Sequence, residues 1–212
     1  MGSLIMHLCI AEKLKEKYKF SDKFIIGEIM PDLLKMAGKS KETTHYLEKV
    51  FECDGVKTLP NILKYECENE ENLKDEKVLG YVSHLVQDKI WFDKYIGKYA
   101  KTDANNIDRI HYLEYNVIKN SNEFSQDIQN DYNNVDKYLV DKYKIDVKSI
   151  RNTLEKISPD KEFLKKIDKS LLVDNYNNLT QQNVFITKED VDTYINESLK
   201  KSSIEINKIL GK

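Results

Sequence analysis

Few helix-breaking residues interrupt this chain. Its 212 residues contain seven glycines and three prolines, and apolar residues recur mostly at helical spacing. Because glycine and proline end or bend regular elements, their scarcity favours long helices over short strands and tight turns. We therefore predict an all-α fold, a multi-helix single domain over residues 1–212. Residues 1–119 carry the candidate site, and residues 120–212 are expected to add packing helices.

The helical spacing also predicts where the elements lie. Pro31 argues against a continuous helix through FIIGEIMPDLLK, so Asp32 is expected on a turn or at a helix start. Near the C-terminus, Thr187 and Asp190 resemble a capping box, and Gly211 is expected to end the last helix. The predicted helices cover about 4–18, 44–52, 71–99 and 105–119, with three or four more after residue 122.

Composition excludes some classes of protein. Charged residues make up 33% and the net charge is −2, which gives no overall attraction to nucleic acid or anionic membranes. No apolar stretch approaches the roughly 18 residues of a membrane span. The start, MGSLIMHLCIAEKL, has no basic region before its apolar residues and predicts a mature helix rather than a signal peptide. Cys9, Cys53 and Cys67 lack metal-binding spacing, which favours reduced thiols and a cytoplasmic location.

The candidate chemistry lies in the histidines and their neighbouring carboxylates. Imidazole and carboxylate together suit a hydrolytic divalent metal such as Zn²⁺. A single buried histidine usually has a simple hydrogen-bond partner. Several ionisable groups on inward faces are costly to bury, however, and a divalent cation compensates them together. The candidate metal ligands are His7, Asp32, His45, His84, Asp88, His111 and Glu114.

Helical spacing predicts how some of these side chains are oriented. His84 and Asp88 are four residues apart and should point the same way on the longest helix. His111 and Glu114 are three apart and should share a helix face. The aromatic residues near His84 are expected to line a cleft: Tyr81, Trp91 and Tyr95.

Other catalytic motifs are missing from the sequence. There is no GxGxxG, no GxxxxGK[ST], no HExxH and no GxSxG. His7 and Cys9 are two residues apart, so they point away from each other on a helix and do not form a nucleophilic pair by local spacing.

Four segments together resemble the zinc-dependent phospholipase C family, which is grouped with single-strand nucleases. The pattern is an early helical histidine, a Pro-Asp, a Thr-His-aromatic and a His-x-x-x-Asp on a long helix. The resemblance covers about residues 4–119, and we expect a cytoplasmic bacterial member of that family. The matching segments are MHLCIAEKL, FIIGEIMPDLLK, KETTHY and LGYVSHLVQDKIW.

The resemblance implies a metal cluster in a cleft between helices. Asp32, His45, His84 and Asp88 would hold one zinc, and Asp88 would bridge to a second zinc that His7 also binds. The family's further site takes two more histidines and an acidic residue. Here only His111 and Glu114 remain for that site, so one or two ions, of zinc or another divalent metal, are expected.

The function predicted on this basis is hydrolysis of a small phosphomono- or phosphodiester by a metal-activated water. Asp32 is the candidate general base, by analogy with the family. Long nucleic acids are not favoured as substrates. The sequence leaves the oligomeric state open.

Three alternatives stay open. A phosphohydrolase of the HD class would need an adjacent His-Asp pair, which this sequence lacks. A non-catalytic helical binding or scaffold protein would hold a structural or vestigial metal. A helical bundle without metal would give His84 and Asp88 partners from the protein alone.

Overall fold

A computed structural model describes residues 2–52, 55–102, 109–112, 117–157, 165, 167–168 and 185–212. Within these ranges the protein is predominantly helical, which confirms the predicted fold class. A 3-10 turn covers Glu70–Asn72, and a π-helical segment, Trp91–Ile96, joins two α-helices into one long helical run. The α-helices are α1 (Leu4–Tyr18), α2 (Asp22–Met36), α3 (Lys41–Thr44), α4 (Ile62–Glu68), α5 (Glu76–Ile90), α6 (Gly97–Tyr99), α7 (Ser121–Tyr143), α8 (Val147–Ile157) and α9 (Lys188–Leu210).

The first and last helices lie where the sequence predicts them. The side chain of Ser3 caps α1. At α9, Thr187 and Asp190 form the predicted capping box, so two backbone N–H groups that the helix leaves unpaired are satisfied. Gly211 ends α9 in the left-handed conformation, with a φ of 71°, which glycine adopts without steric cost.

The predicted break at Pro31 is wrong, because α2 runs through it. Asp32 therefore lies inside α2, one turn before the helix ends, rather than on a turn. A proline inside a helix costs about 3 kcal/mol. The inner face of α2 buries Phe24, Ile25 and Ile29, and each such side chain contributes roughly 1.5–3 kcal/mol. Packing thus outweighs the local penalty.

A small antiparallel sheet, which the sequence analysis did not predict, lies beside the helices. Its strands are hydrogen-bonded in sequence order. In the first pair, Leu47 lies opposite Pro60 and Glu52 lies opposite Gly55. The strands are β1 (Leu47–Glu52), β2 (Gly55–Pro60), β3 (Ala100–Thr102), β4 (Arg109–Tyr112) and β5 (Val117–Asn120).

The helix predicted over 44–52 is replaced by the end of α3 and by β1. His45 caps the C-terminal end of α3 instead of opening a helix. Tyr46 then has a φ of 53°, a left-handed conformation that ends the helix and turns the chain into the strand. The six residues of β1 are too few for apolar spacing to distinguish a helix from a strand. Their pairing with β2 favours the strand.

The helix predicted over 105–119 is also wrong for the residues described there. His111 lies in β4, where its backbone is opposite Lys101 of β3. His111 therefore does not lie on the helix from which its pairing with Glu114 was predicted. Isoleucine and valine dominate this segment's apolar positions, and both favour strands when a partner strand is present. Glu114 lies outside the described residues.

The helices pack around one core, which contains residues of α1, α2, α5, α7 and α9. Among the described elements, α2 and α5 share the most extensive contact. Gly80 of α5 lies at this contact, where a Cβ would lie 2.2 Å from the carbonyl oxygen of Phe24. This close approach brings Asp32 of α2 to the level of His84 and Asp88 of α5. None of the helices in the described part of the chain is long and apolar enough to cross a membrane.

Candidate metal centre

Five of the predicted ligands meet in one buried cluster. His7 comes from α1, Asp32 from α2, His45 from the end of α3, and His84 and Asp88 from α5. Asp32 is 3% exposed and the other four are 0% exposed. The predicted orientation of His84 and Asp88 is confirmed, since Nε2 of His84 lies 3.7 Å from Oδ2 of Asp88.

Asp88 lies at the centre of the cluster. Its Oδ1 is 3.4 Å from Nε2 of His7, and its Oδ2 is 3.8 Å from Nε2 of His45. Nε2 of His45 is also 3.3 Å from Oδ1 of Asp32. Ligand atoms that lie 2.0–2.2 Å from a tetrahedral ion are roughly 3.3–3.6 Å from one another. The separations therefore suit donors that share a cation better than donors that bond directly.

Each side chain of the cluster has at least one buried polar atom without a hydrogen-bond partner in the described part of the chain. Within the described residues no hydrogen bond reaches Nε2 of His7, Nε2 of His45, Oδ1 of Asp32 or Oδ2 of Asp88. Neither ring nitrogen of His84 has one. Buried polar atoms are normally hydrogen-bonded, because an unmet one costs about 1–3 kcal/mol. A bundle without metal would have to accept this cost at five adjacent side chains.

Two sets of three donors lie close enough together to hold a metal ion, with the atoms of each set within 4.8 Å of one another. One is His7, His84 and Asp88, and the other is Asp32, His45 and His84. The two carboxylate oxygens of Asp88 face different histidines, as a carboxylate that bridges two ions would. The arrangement fits one or two divalent ions.

Hydrogen bonds fix the ring of His7. Its Nδ1 is 2.9 Å from Oε1 of Gln87, so Nδ1–H donates and Nε2 is directed at the cluster. Gln87 is held in turn, because its Nε2 donates to Oε1 of Glu28 at 2.6 Å and to Oγ of Ser83 at 2.9 Å. Such outer partners orient metal-ligating histidines.

A threonine plays the same part for His45. The Nδ1 atom of His45 is 2.8 Å from Oγ1 of Thr44, which leaves Nε2 directed at Asp32 and Asp88. The backbone N–H of Gly2 donates to Oδ1 of Asp88 at 3.0 Å.

Sequence reasoning missed Glu28 and Gln87. Glu28 is one helical turn before Asp32, but the expected break at Pro31 concealed that relation. Gln87 lies three residues after His84 and next to Asp88, so its position on the same part of α5 was available as a signal. Both side chains are fully buried.

The charges of the cluster follow from burial and proximity. Burial lowers the pKa of His84 to about 3, with the charge of His7 adding to the effect. Burial alone would raise the pKa of Asp32, but the close approach of His45 and the charges of the nearby histidines hold it at about 2. Burial would likewise raise the pKa of Asp88, but the positive charge of the chain's N-terminus, with His7 and His84, holds it well below its ordinary value. Neutral imidazole and ionised carboxylates are the forms that bind metal.

His7 and Glu28 differ from this pattern. Burial alone would lower the pKa of His7, but the carboxylates of Asp88 and Glu28 raise it to about 10. Burial raises the pKa of Glu28 against the opposing effect of His7. A cation bound at Nε2 of His7 would therefore take the place of a proton.

A cavity of about 460 Å³ reaches the cluster at Asp32. Its wall includes Lys41, Phe92, Tyr132 and Asp136. Asp32 is thus the member of the cluster that meets space large enough for a small ligand.

The three aromatic residues predicted to line the cleft lie elsewhere. Tyr81 stacks on Tyr65 with ring centres 4.3 Å apart. Trp91 is fully buried and donates from Nε1 to the hydroxyl of Tyr132 at 2.7 Å. Tyr95 stacks on Trp91. Of the three, Trp91 contacts the cavity wall from behind, through Tyr132, and Phe92 and Tyr132 face the cavity.

The remaining predicted ligands are not placed in the cluster. His111 lies in β4, and its side chain and all of Glu114 lie outside what the structure describes. Their role as ligands stays a prediction. Comparison of the chain with protein-family models, with curated proteins and with solved structures found no match.

Proposed function

We propose that this protein is a metal-dependent phosphoric ester hydrolase. One observation supports this most strongly: five buried side chains from four helical segments direct unpaired donor atoms at one another at separations that suit a shared cation. The donor set of imidazoles and carboxylates favours Zn²⁺, with one or two ions. The resemblance to zinc-dependent phospholipase C favours a phosphoester as the substrate.

A bound divalent ion would supply Lewis acidity toward a phosphoryl oxygen and an acidified water. His7, His45, His84 and Asp88 would hold the ion, and Gln87 and Thr44 keep two of the rings in orientation. Asp32 lies where the cluster meets the cavity, so its carboxylate is our candidate for accepting the proton of the attacking water. The free thiols of Cys9 and Cys67 suit the cytoplasmic location that we propose for the protein.

A structural metal in a non-catalytic binding protein is the second candidate. The near-complete burial of all five donors favours it, because structural zinc sites are closed to solvent. The contact of Asp32 with the cavity favours catalysis instead.

An activity screen separates the two functions. Zinc-loaded protein is assayed with phosphomonoesters and phosphodiesters, beside His84→Ala and the exposed control Lys89→Ala on the same helix. We expect hydrolysis that a chelator abolishes and zinc restores, retained in Lys89→Ala and lost in His84→Ala. Stoichiometric metal without hydrolysis of either ester class would support the structural site and contradict the proposed function.

A further inference from the structure

Together with Lys35, Lys41 is a cation that lines the cavity beside Asp32. It is the first residue of α3, four residues before His45, and it lines the same cavity as Asp32. Its Nζ lies 4.7 Å from the centre of the Phe92 ring, a cation–π distance that keeps the half-buried ammonium at the cavity wall.

Lys41 has no carboxylate within ion-pair distance among the residues that the structure describes. Lys57 shows the usual situation, with its Nζ 2.9 Å from Oδ1 of Asp93 and 3.1 Å from Oε1 of Glu52. Burial lowers the pKa of Lys41, while the charge of Asp88 opposes that change. An ammonium in this position gives up hydration without a protein anion in return.

The charges of the cavity favour an anion with two negative charges. With two divalent ions beside Asp32 and Asp88, two positive charges are left in excess, and Lys41 adds one more. A phosphate monoester carries about −1.5 to −2 at neutral pH and offers three acceptor oxygens. A phosphodiester carries one charge and must also fit a second organic group into a cavity of about 460 Å³.

We propose that Lys41 binds a terminal phosphoryl oxygen of a small phosphate monoester whose phosphoryl group lies between the metal centre and the lysine. This inference rests on the proposed function and names its substrate class. Lys41 thereby positions the substrate and selects monoesters over diesters.

The test uses the full chain loaded with zinc, with its metal content verified, and inorganic phosphate as the probe. Isothermal titration compares the wild type with Lys41→Met, Lys41→Arg and the exposed control Lys39→Met, which lies two residues away and outside the cavity wall. A hydrogen bond between charged groups predicts that Lys41→Met weakens phosphate binding about 10- to 100-fold. Lys41→Arg should keep most of the affinity, and Lys39→Met should keep all of it.

The outcomes separate this inference from the proposed function. Equal phosphate affinity in Lys41→Met and the wild type would overturn the role of Lys41, as would a zinc-loaded wild type that binds no phosphate. The monoester-to-diester ratio of kcat/KM should fall in Lys41→Met, and an unchanged ratio would also overturn it. Phosphate binding that depends on Lys41, without hydrolysis of any ester, would support the anion site and contradict the hydrolase.

Discussion

Asp136 shows how burial acts on a single carboxyl group in this protein. It belongs to α7, is 3% exposed and accepts a hydrogen bond from the hydroxyl of Ser3, the residue that caps α1. Burial raises the pKa of Asp136 to about 8, although the bond from Ser3 and the charge of His7 oppose the shift. Asp136 is therefore protonated at neutral pH and ties α7 to the start of α1.

This pKa predicts a pH dependence of stability. Folding raises the pKa of this carboxyl group from 3.8 to about 8. Its contribution to stability is therefore complete below pH 3.8, and it is lost as pH rises through the pKa of the folded protein. Relative to Asp136→Asn, the wild type should lose about 1.4 kcal/mol of unfolding free energy per pH unit between about pH 5 and 7.

Denaturant unfolding of both proteins at several pH values measures this difference. Asp141→Asn, at an exposed position on the same helix, is the matched control and should follow the wild type. Parallel curves for the wild type and Asp136→Asn would show that the carboxyl group is not protonated at neutral pH.

Gln87 is the second residue whose effect is local and measurable. Gln87→Leu removes the acceptor that orients Nδ1 of His7 and leaves Glu28 without its amide donor. Loss of such a partner typically weakens metal binding about 10- to 100-fold. Competition with a chromophoric chelator measures the zinc affinity, with the exposed Gln126→Leu as the control. Equal zinc affinity in Gln87→Leu and the wild type would remove Gln87 from the support of the centre.

At the scale of elements, the crossing of α2 and α5 positions the centre. Gly27 and Gly80 lie at this crossing, and a Cβ at Gly27 would lie 1.9 Å from the carbonyl oxygen of Lys77. The backbones of the two helices are therefore in contact about one turn before Asp32 and His84. Any side chain at the crossing must push the helices apart, because the atoms it meets belong to the backbone.

Gly80→Ala should therefore lower both stability and zinc affinity. Overpacking of this kind costs about 1–3 kcal/mol, and separation of the helices moves donors on α5 away from Asp32. Gly38→Ala is the matched control, since its φ of 94° adds strain but its Cβ meets nothing within 4 Å. It should lose stability and keep zinc affinity. Full zinc affinity in Gly80→Ala would show that the crossing does not position the ligands.

Local signals predicted some elements well and others poorly. α1 and α9 carry sustained periodicity and caps at Ser3 and Thr187, and both lie where expected. The sequence predicts a break in α2 at Pro31, because the local penalty of proline is visible in the sequence and the burial of α2 against α5 is not. The sheet was missed because β3, β4 and β5 depend on one another for pairing, which spacing within one segment does not encode.

At the scale of the whole molecule, residue chemistry identified which side chains come together. Because His7, His45 and His84 are costly to bury without partners, we predicted that they share a cation. The structure brings all three beside Asp32 and Asp88. The residues around them were not predictable in the same way. Gln87, Lys41 and Asp136 are polar residues of common kinds, and only the packing of α3, α5 and α7 gives them their positions.

Metal content is the measurement that tests the candidate centre most directly. Protein purified without a histidine tag or chelator is analysed by elemental analysis beside His84→Ala and the exposed control Lys89→Ala. We predict one or two equivalents of zinc or another divalent metal in the wild type and in Lys89→Ala, and loss of metal in His84→Ala. An ion whose free concentration is about 1,000 times its Kd adds about 4 kcal/mol to the free energy of unfolding. The Tm of His84→Ala should therefore fall by about 10 °C. A wild type that stays free of metal after incubation with zinc, or a His84→Ala variant with full metal content and full Tm, would contradict the metal centre.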